Sequence, residues 1–178
     1  MGELFITSED INADIAYYRR HRTRPSFIKA VRMVNSWQDC KSILDVGCRS
    51  AGFVYQATSQ YTRRVATDIY KPLYMGGTDK LVKFIHADFL NLEFTEPFDV
   101  VVCMETMEHI DEPNRLEFAD KLMSLTKKHL LVSIPYMWKN SKEPIDHNGF
   151  NEKHIIDWFG LNGQMTIMGD HLLAEYSI

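Results

Sequence analysis

The segment Ser42-Ile43-Leu44-Asp45-Val46-Gly47-Cys48-Arg49-Ser50-Ala51-Gly52-Phe53 runs an apolar stretch into a turn of small residues. Gly47 has no side chain, so a ligand can approach the backbone closely there. Asp45 ends the apolar stretch, and a carboxylate in that position needs a cationic or donor partner. Twenty-three residues after Asp45, Ala66-Thr67-Asp68-Ile69 brings a second acid to the end of the next apolar run. An acid about 20 residues beyond a glycine turn is the arrangement that grips ribose hydroxyls in nucleotide-binding α/β folds. The pair implies an adenosine-containing ligand. Two forms of that ligand do not suit the turn: Arg49 stands where a dinucleotide G-x-G-x-x-G has its second glycine, and the Gly-Lys-Ser/Thr of a P-loop is absent.

Two histidines are placed to move a proton near neutral pH. His109 follows the apolar run Phe98 to Cys103, on the side where open α/β sheets bind ligands. His147 lies in Asp146-His147-Asn148-Gly149-Phe150, a turn-prone stretch of the long connection 136–151, where functional residues concentrate. The bland alternatives are a His109 ring that caps loop backbone, a solvated or helix-capping Glu108, and a His147 that is plain loop. Tyr136 and Trp138 are expected at the acceptor mouth. Arg19-Arg20-His21-Arg22-Thr23-Arg24 is a basic island. It is either a solvated face pairing with Glu9, Asp10 and Asp14, or a patch for an anionic acceptor or a cofactor carboxylate. Cys40, Cys48 and Cys103 form neither Cys-x-x-Cys nor a Cys/His ligand pattern, which argues against structural zinc and a disulfide scaffold. They read as buried small residues.

The elements that must hold these groups are legible as periodicity. Apolar runs at Ser42 to Val46, Arg64 to Asp68, Lys83 to His86, Phe98 to Cys103 and His129 to Ile134 suit strands of a parallel sheet buried on both faces. Pro113 to Thr126 reads as an amphipathic helix with Leu116, Ala119, Leu122, Met123 and Leu125 inward. Helices are also expected over Asn12 to Tyr18, Pro25 to Trp37 and Lys153 to Leu161. Gln164 to Ile178 reads as two strands about a Gly169-Asp170 turn, hence an antiparallel pair. The fold class is α/β, a doubly wound, mostly parallel sheet with an antiparallel C-terminal hairpin. The 178 residues are 45% hydrophobic and 25% charged, the composition of one folded domain of ordinary size. No signal peptide and no spanning segment is visible, so a cytoplasmic location is expected. A formal charge of −4 argues against gripping a nucleic-acid backbone over a broad surface.

From Ile43 to Ile178 the chain resembles the class I S-adenosylmethionine-dependent methyltransferases, whose first motif is close to Ile43-Leu44-Asp45-Val46-Gly47-Cys48. Ile85-His86-Ala87-Asp88-Phe89 is similar to the family's acidic end of the third strand. Phe98 to Ile110 is similar to its fourth strand and following loop, in the subgroup with the triplet Glu108-His109-Ile110. Leu130 to Tyr136 is similar to the fifth strand and its exit. The resemblance implies a seven-stranded Rossmann-like sheet and S-adenosyl-L-methionine as cofactor. It implies that Asp45, Gly47 and Cys48 line the methionine part, that Asp68 takes both ribose hydroxyls with Ile69 beside it, and that Asp88 and Phe89 meet the adenine. Met104 and Glu105 would close the pocket near the sulfonium. Arg49 and Ala51 depart from the family's usual glycines, and Arg49 is expected either to pair with the methionine carboxylate or to face solvent.

Residues 1–40 are then expected to form a helical lid on the acceptor side, and 41–178 the cofactor-binding domain. The expected reaction is in-line methyl transfer to oxygen or nitrogen of a small-molecule or saccharide acceptor, with His109, His147 and Glu108 as candidate catalytic groups. A nucleic-acid methyltransferase is disfavoured, because Cys103-Met104-Glu105-Thr106 stands where its N-P-P-(Y/F) tetrad would be. A non-catalytic cofactor-binding partner protein is the alternative from another class.

Overall fold

A computed structural model of the chain describes residues 8–49, 52–57, 60–71, 81–137 and 149–178. In chain order the elements are α1 (Ser8–His21), α2 (Pro25–Ser36), β1 (Ser42–Val46), β2 (Arg63–Asp68), β3 (Val82–His86), β4 (Phe98–Met104), α3 (Arg115–Ser124), β5 (Thr126–Pro135), α4 (Glu152–Phe159), β6 (Gln164–Met168) and β7 (His171–Ser177). The seven strands form one sheet in the order β3-β2-β1-β4-β5-β7-β6. β1 to β5 pair in parallel, and β7 runs antiparallel to its two neighbours, β5 and β6.

Alternation along the central strands feeds two apolar layers, one on each face of the sheet. Val100 and Val102 of β4, with Ile43 and Leu131, pack against Phe27, Ala30 and Val34 of α2 and against Phe53. Val101 and Cys103, with Leu44, Leu130 and Val132, pack against Phe118, Ala119 and Leu122 of α3 and Ile155 and Phe159 of α4. Pro25 suits the first turn of α2, and the spacing of Phe27, Ala30 and Val34 gives that helix one buried face. All three cysteines are buried free thiols. Among the described residues no helix is long and apolar enough to cross a membrane.

Several boundaries and one helix face differ from the sequence expectation. The helix expected from Pro113 is divided into a 3-10 turn, Glu112–Asn114, and α3 proper. That shift in phase puts Leu116, expected inward, 57% exposed, while Phe118 is 3% exposed against Phe89. α1 runs on through Arg19, Arg20 and His21, so half of the basic stretch is the helix's last turn and only Arg22, Thr23 and Arg24 join the two helices. α4 begins at a capping box, in which Asn151 accepts from the Lys153 N–H while the His154 ring accepts from the Asn151 N–H; it stops before Gly160. The β6–β7 hairpin turns at Gly169 with φ 66°, the left-handed conformation such a two-residue loop requires. Between β1 and β2 the described residues carry only the 3-10 turn Phe53–Gln56.

Candidate functional site

The order of strands reverses between β1 and β4. The loops leaving β1, β2, β3 and β4 therefore open at one end of the sheet, where α/β folds bind ligands. Two connected spaces lie there. A cleft of about 460 Å³ runs past Gly47, Asp68, Asp88, Phe89, Glu105 and His109. A much tighter pocket, about 20 Å³, is lined by Tyr17, His21, Arg24, Asp45, Met104 and Glu105. Gly47 and Glu105 border both spaces, so the two meet there.

Gly47 has φ 71°, and a Cβ there would sit 2.2 Å from Thr106 Oγ1. Only glycine lets the β1 loop approach the β4 loop this closely. Asp45 is 2% exposed and accepts from the Val54 N–H at 3.2 Å. Its partner is thus a backbone donor, and burial pushes its carboxyl up to about 7. Cys48 is buried beside it, its thiol pushed well up by that burial, which leaves it no thiolate character.

Asp68 and Asp88 both stand at strand ends on the cleft wall. Asp68 accepts from the Arg49 N–H at 2.6 Å and from the Tyr70 N–H at 2.7 Å, which fixes its carboxylate at the cleft mouth. Ile69 follows it, 72% exposed. Asp88 accepts from the Leu90 N–H at 3.0 Å and from Asn91 Nδ2 at 3.1 Å. Phe89 is buried, its ring tilted against Phe118 and beneath the ammonium of Lys121.

Arg49 and Glu105 both hold left-handed backbone, φ 37° and 52°, a conformation that costs a non-glycine residue on the order of 1 kcal/mol. The Arg49 guanidinium lies between two aromatic rings, 4.4 Å from the centroid of Tyr17 in α1 and 5.1 Å from that of Tyr70. The Tyr70 hydroxyl in turn donates to Asp14 of α1 at 3.2 Å. α1 is thereby tied across the cleft mouth. Glu105 is held from three sides: Ser133 Oγ donates to Oε1 at 2.5 Å, and Arg24 Nη1 at 3.4 Å and His171 Nε2 at 3.0 Å lie against Oε2.

Within the basic island the side chains diverge. Arg20 and Arg22 lie outside over the rings of Tyr17 and Tyr18, whereas Arg24, at the start of α2, turns inward. Asp14, expected to serve those arginines, is buried and accepts from Tyr70. His21 stacks on Tyr17 at 3.8 Å. Burial and then Arg24 depress its imidazole to about 3, so it is neutral. Its buried Nε2 has no hydrogen-bond partner among the described residues. An orphaned polar atom in a pocket that also holds Arg24 fits a ligand carrying an anionic polar end.

His109 is exposed on the cleft wall beside Ile110, Asp111 and Asn114. Glu108 corrects an expectation: it is not solvated but 3% exposed, with Oε2 unpartnered among the described residues. Burial, reinforced by the neighbouring Glu105 charge, raises its carboxyl well above the ordinary range and keeps it protonated. His147, Trp138 and Ala51 lie outside the described residues. The Tyr136 hydroxyl donates to Glu152 Oε1 at 3.1 Å at the start of α4.

Sequence reading had not singled out Ser133, Thr106 or His171. Ser133 and His171 read as strand residues; the β4–β5 register carries Ser133 to Glu105, and the β5–β7 register brings His171 there. The signal available for His171 was a histidine opening an otherwise apolar strand.

Residues 43–129 match a family model described as a methyltransferase domain. No curated protein matches the chain in sequence. Among solved structures, the N-methyltransferase NodS from Bradyrhizobium japonicum WM9 in complex with S-adenosyl-L-homocysteine is similar at a TM-score of 0.66 and 15% identity, over 94% of this chain and 97% of that one. The 1,6-didemethyltoxoflavin-N1-methyltransferase of Burkholderia thailandensis gives 0.66 and 12%, over 99% and 92%. The magnesium protoporphyrin IX methyltransferase ChlM from Synechocystis PCC 6803 with bound S-adenosylhomocysteine gives 0.65 and 13%, over 99% and 89%. At these identities the solved structures speak for the fold. Residues 43–129 thus match a methyltransferase domain, within a fold that these solved methyltransferase structures share.

Proposed function

We propose that the chain transfers a methyl group from S-adenosylmethionine to oxygen or nitrogen of a small-molecule or saccharide acceptor, within the subgroup marked by Glu108-His109-Ile110. The observation that carries this reading is the continuity at Gly47 and Glu105 of a roomy cleft with carboxylates at two successive strand ends and a tight pocket containing one arginine. In this reading Asp68 receives the ribose hydroxyls, Asp88 and Phe89 meet the adenine, and Asp45, Gly47, Cys48 and Met104 line the methionine end, whose carboxylate Arg24 holds. Arg49 and Ile69 border the nucleoside side. Bound there, the cofactor supplies a methyl carbon already activated by positive sulfur.

The chain's own residues then have mainly to orient the acceptor and exclude water. Residues 8–36 serve as the cover on the acceptor side, tied down by the Tyr17–Arg49–Tyr70 stack. Asp111 and Asn114 offer polar contacts for an acceptor on the cleft wall. His109 accepts the proton that a hydroxyl or ammonium acceptor must lose; His147, in the loop 136–151, is the second candidate. Glu108, buried and protonated, positions the loop instead of exchanging protons with substrate.

Incubation of the protein with S-adenosylmethionine and pooled metabolites tests this reading by the release of S-adenosylhomocysteine. An acceptor-dependent product is expected. His109→Ala should lower its kcat about a hundredfold while leaving cofactor affinity within about twofold. An unchanged kcat in that variant removes His109 from the chemistry.

A further inference from the structure

His171 opens β7 and is 3% exposed, and each of its ring nitrogens faces a charged group. Nδ1 lies 2.6 Å from Asp170 Oδ1 on the hairpin turn. Nε2 lies 3.0 Å from Glu105 Oε2 on the β4 loop and also 3.0 Å from Arg24 Nη1 at the head of α2. We assign the hydrogen of the neutral ring to Nδ1, where it faces the carboxylate of Asp170.

Nε2 faces two incompatible demands. A guanidinium can only donate, so the Arg24 contact needs Nε2 without hydrogen. A carboxylate can only accept, so the Glu105 contact needs Nε2–H. The neutral ring therefore holds Arg24 jointly with Glu105, whereas the imidazolium takes Glu105 for itself and repels Arg24. Of the other ionisable groups beside this cluster, His21 at the end of α1 is neutral and Glu108 beyond β4 is protonated, while Ser133 on β5 binds the far oxygen of Glu105 without changing charge.

We propose that His171 is a proton-linked switch of the Arg24 pocket: a ligand carboxylate that engages Arg24 draws it off Nε2, and His171 takes up a proton from solvent and closes on Glu105. The proposal rests on the reading that this pocket receives the methionine end of the cofactor. Burial alone would lower the imidazole, yet the Glu105 hydrogen bond and charge hold it above the ordinary histidine value, with Arg24 as the opposing charge. Neutralising Arg24 with a carboxylate moves it further up. Proton uptake therefore falls in the pH interval between the ligand-free and loaded values, both on the alkaline side of ordinary histidine.

Isothermal titration of the full chain with S-adenosylhomocysteine, in phosphate and in Tris at about pH 8, counts the protons exchanged. The expected result is uptake of a few tenths of a proton by the wild type and none beyond the ligand's own share by His171→Gln. Equal uptake in both overturns the proposal. In the wild type alone, the His171 Nε2 nitrogen resonance should shift towards the protonated position on adding S-adenosylhomocysteine; a stationary resonance contradicts the switch without needing any variant. If the wild type binds no S-adenosylhomocysteine, it is the cofactor reading that fails. The switch is then judged on ligand-free protein, where Arg24→Met should raise the His171 titration midpoint by about half a pH unit and Glu105→Gln should lower it. A midpoint unmoved by Arg24→Met overturns it.

Discussion

Glu108 shows how placement decides what a carboxylate does. One turn of chain beyond β4 it is enclosed, its Oε2 without a partner among the described residues, and next to the charge of Glu105, so its protonated form is the stable one in the fold. An acid whose folded value is raised binds a proton more tightly when folded. Its contribution to stability is present below the ordinary carboxyl range and is lost as the pH rises through the raised folded value. Asp45, raised by burial to about 7, acts in the same direction. Glu108→Gln replaces the protonated acid with a neutral isostere. Denaturant unfolding should show the variant more stable than wild type by about 1 kcal/mol or more at pH 8, with the difference shrinking towards pH 5. A variant less stable at pH 8 than at pH 5, relative to wild type, would show that Glu108 is ionised in the fold. At this scale the strand-end acids Asp45, Asp68 and Asp88 were legible because each closes an apolar run beside a turn. Arg24, Ser133 and His171 were not, because they meet Glu105 only through pairings far apart in the chain. Arg24 and His171 are separated by 147 positions.

At the scale of elements, every expected strand within the described residues is present, since continuous apolar runs leave little freedom for a chain buried on both faces. Helix phase was less legible. α3 takes its phase from the 3-10 turn that precedes it, and local periodicity around Pro113 carries no trace of that turn. The consequence can be measured by truncation. Phe118→Ala removes a ring packed against Phe89 in the layer between sheet and helices and should cost about 3 kcal/mol or more. Leu116→Ala, on the exposed face of the same helix, should change stability by less than about 0.5 kcal/mol. Reversed magnitudes would mean that the helix is rotated, with Leu116 as the core residue. α1 belongs to the same lesson: its pattern announces a helix, but what holds it over the cleft is the stacking of Tyr17 on Arg49 and the Tyr70–Asp14 hydrogen bond.

Across the whole molecule, the switch of strand order between β1 and β4 gathers the acids of three strand ends, the basic end of α1 and the Glu105 cluster at one end of the sheet. The formal charge of −4 is unevenly spread: the basic island crowns this end, and Arg24 alone among its arginines turns in to pair with Glu105. Acceptor choice is not determined by a fold. The central claim is that this end of the sheet holds S-adenosylmethionine by the carboxylate of Asp68. Isothermal titration of the cofactor into the wild type and Asp68→Ala tests it most directly. The account predicts a dissociation constant in the micromolar range for the wild type and a loss of about tenfold or more in the variant, the worth of hydrogen bonds to a charged acceptor. No heat of binding with the wild type, or equal affinity for the two proteins, would contradict it.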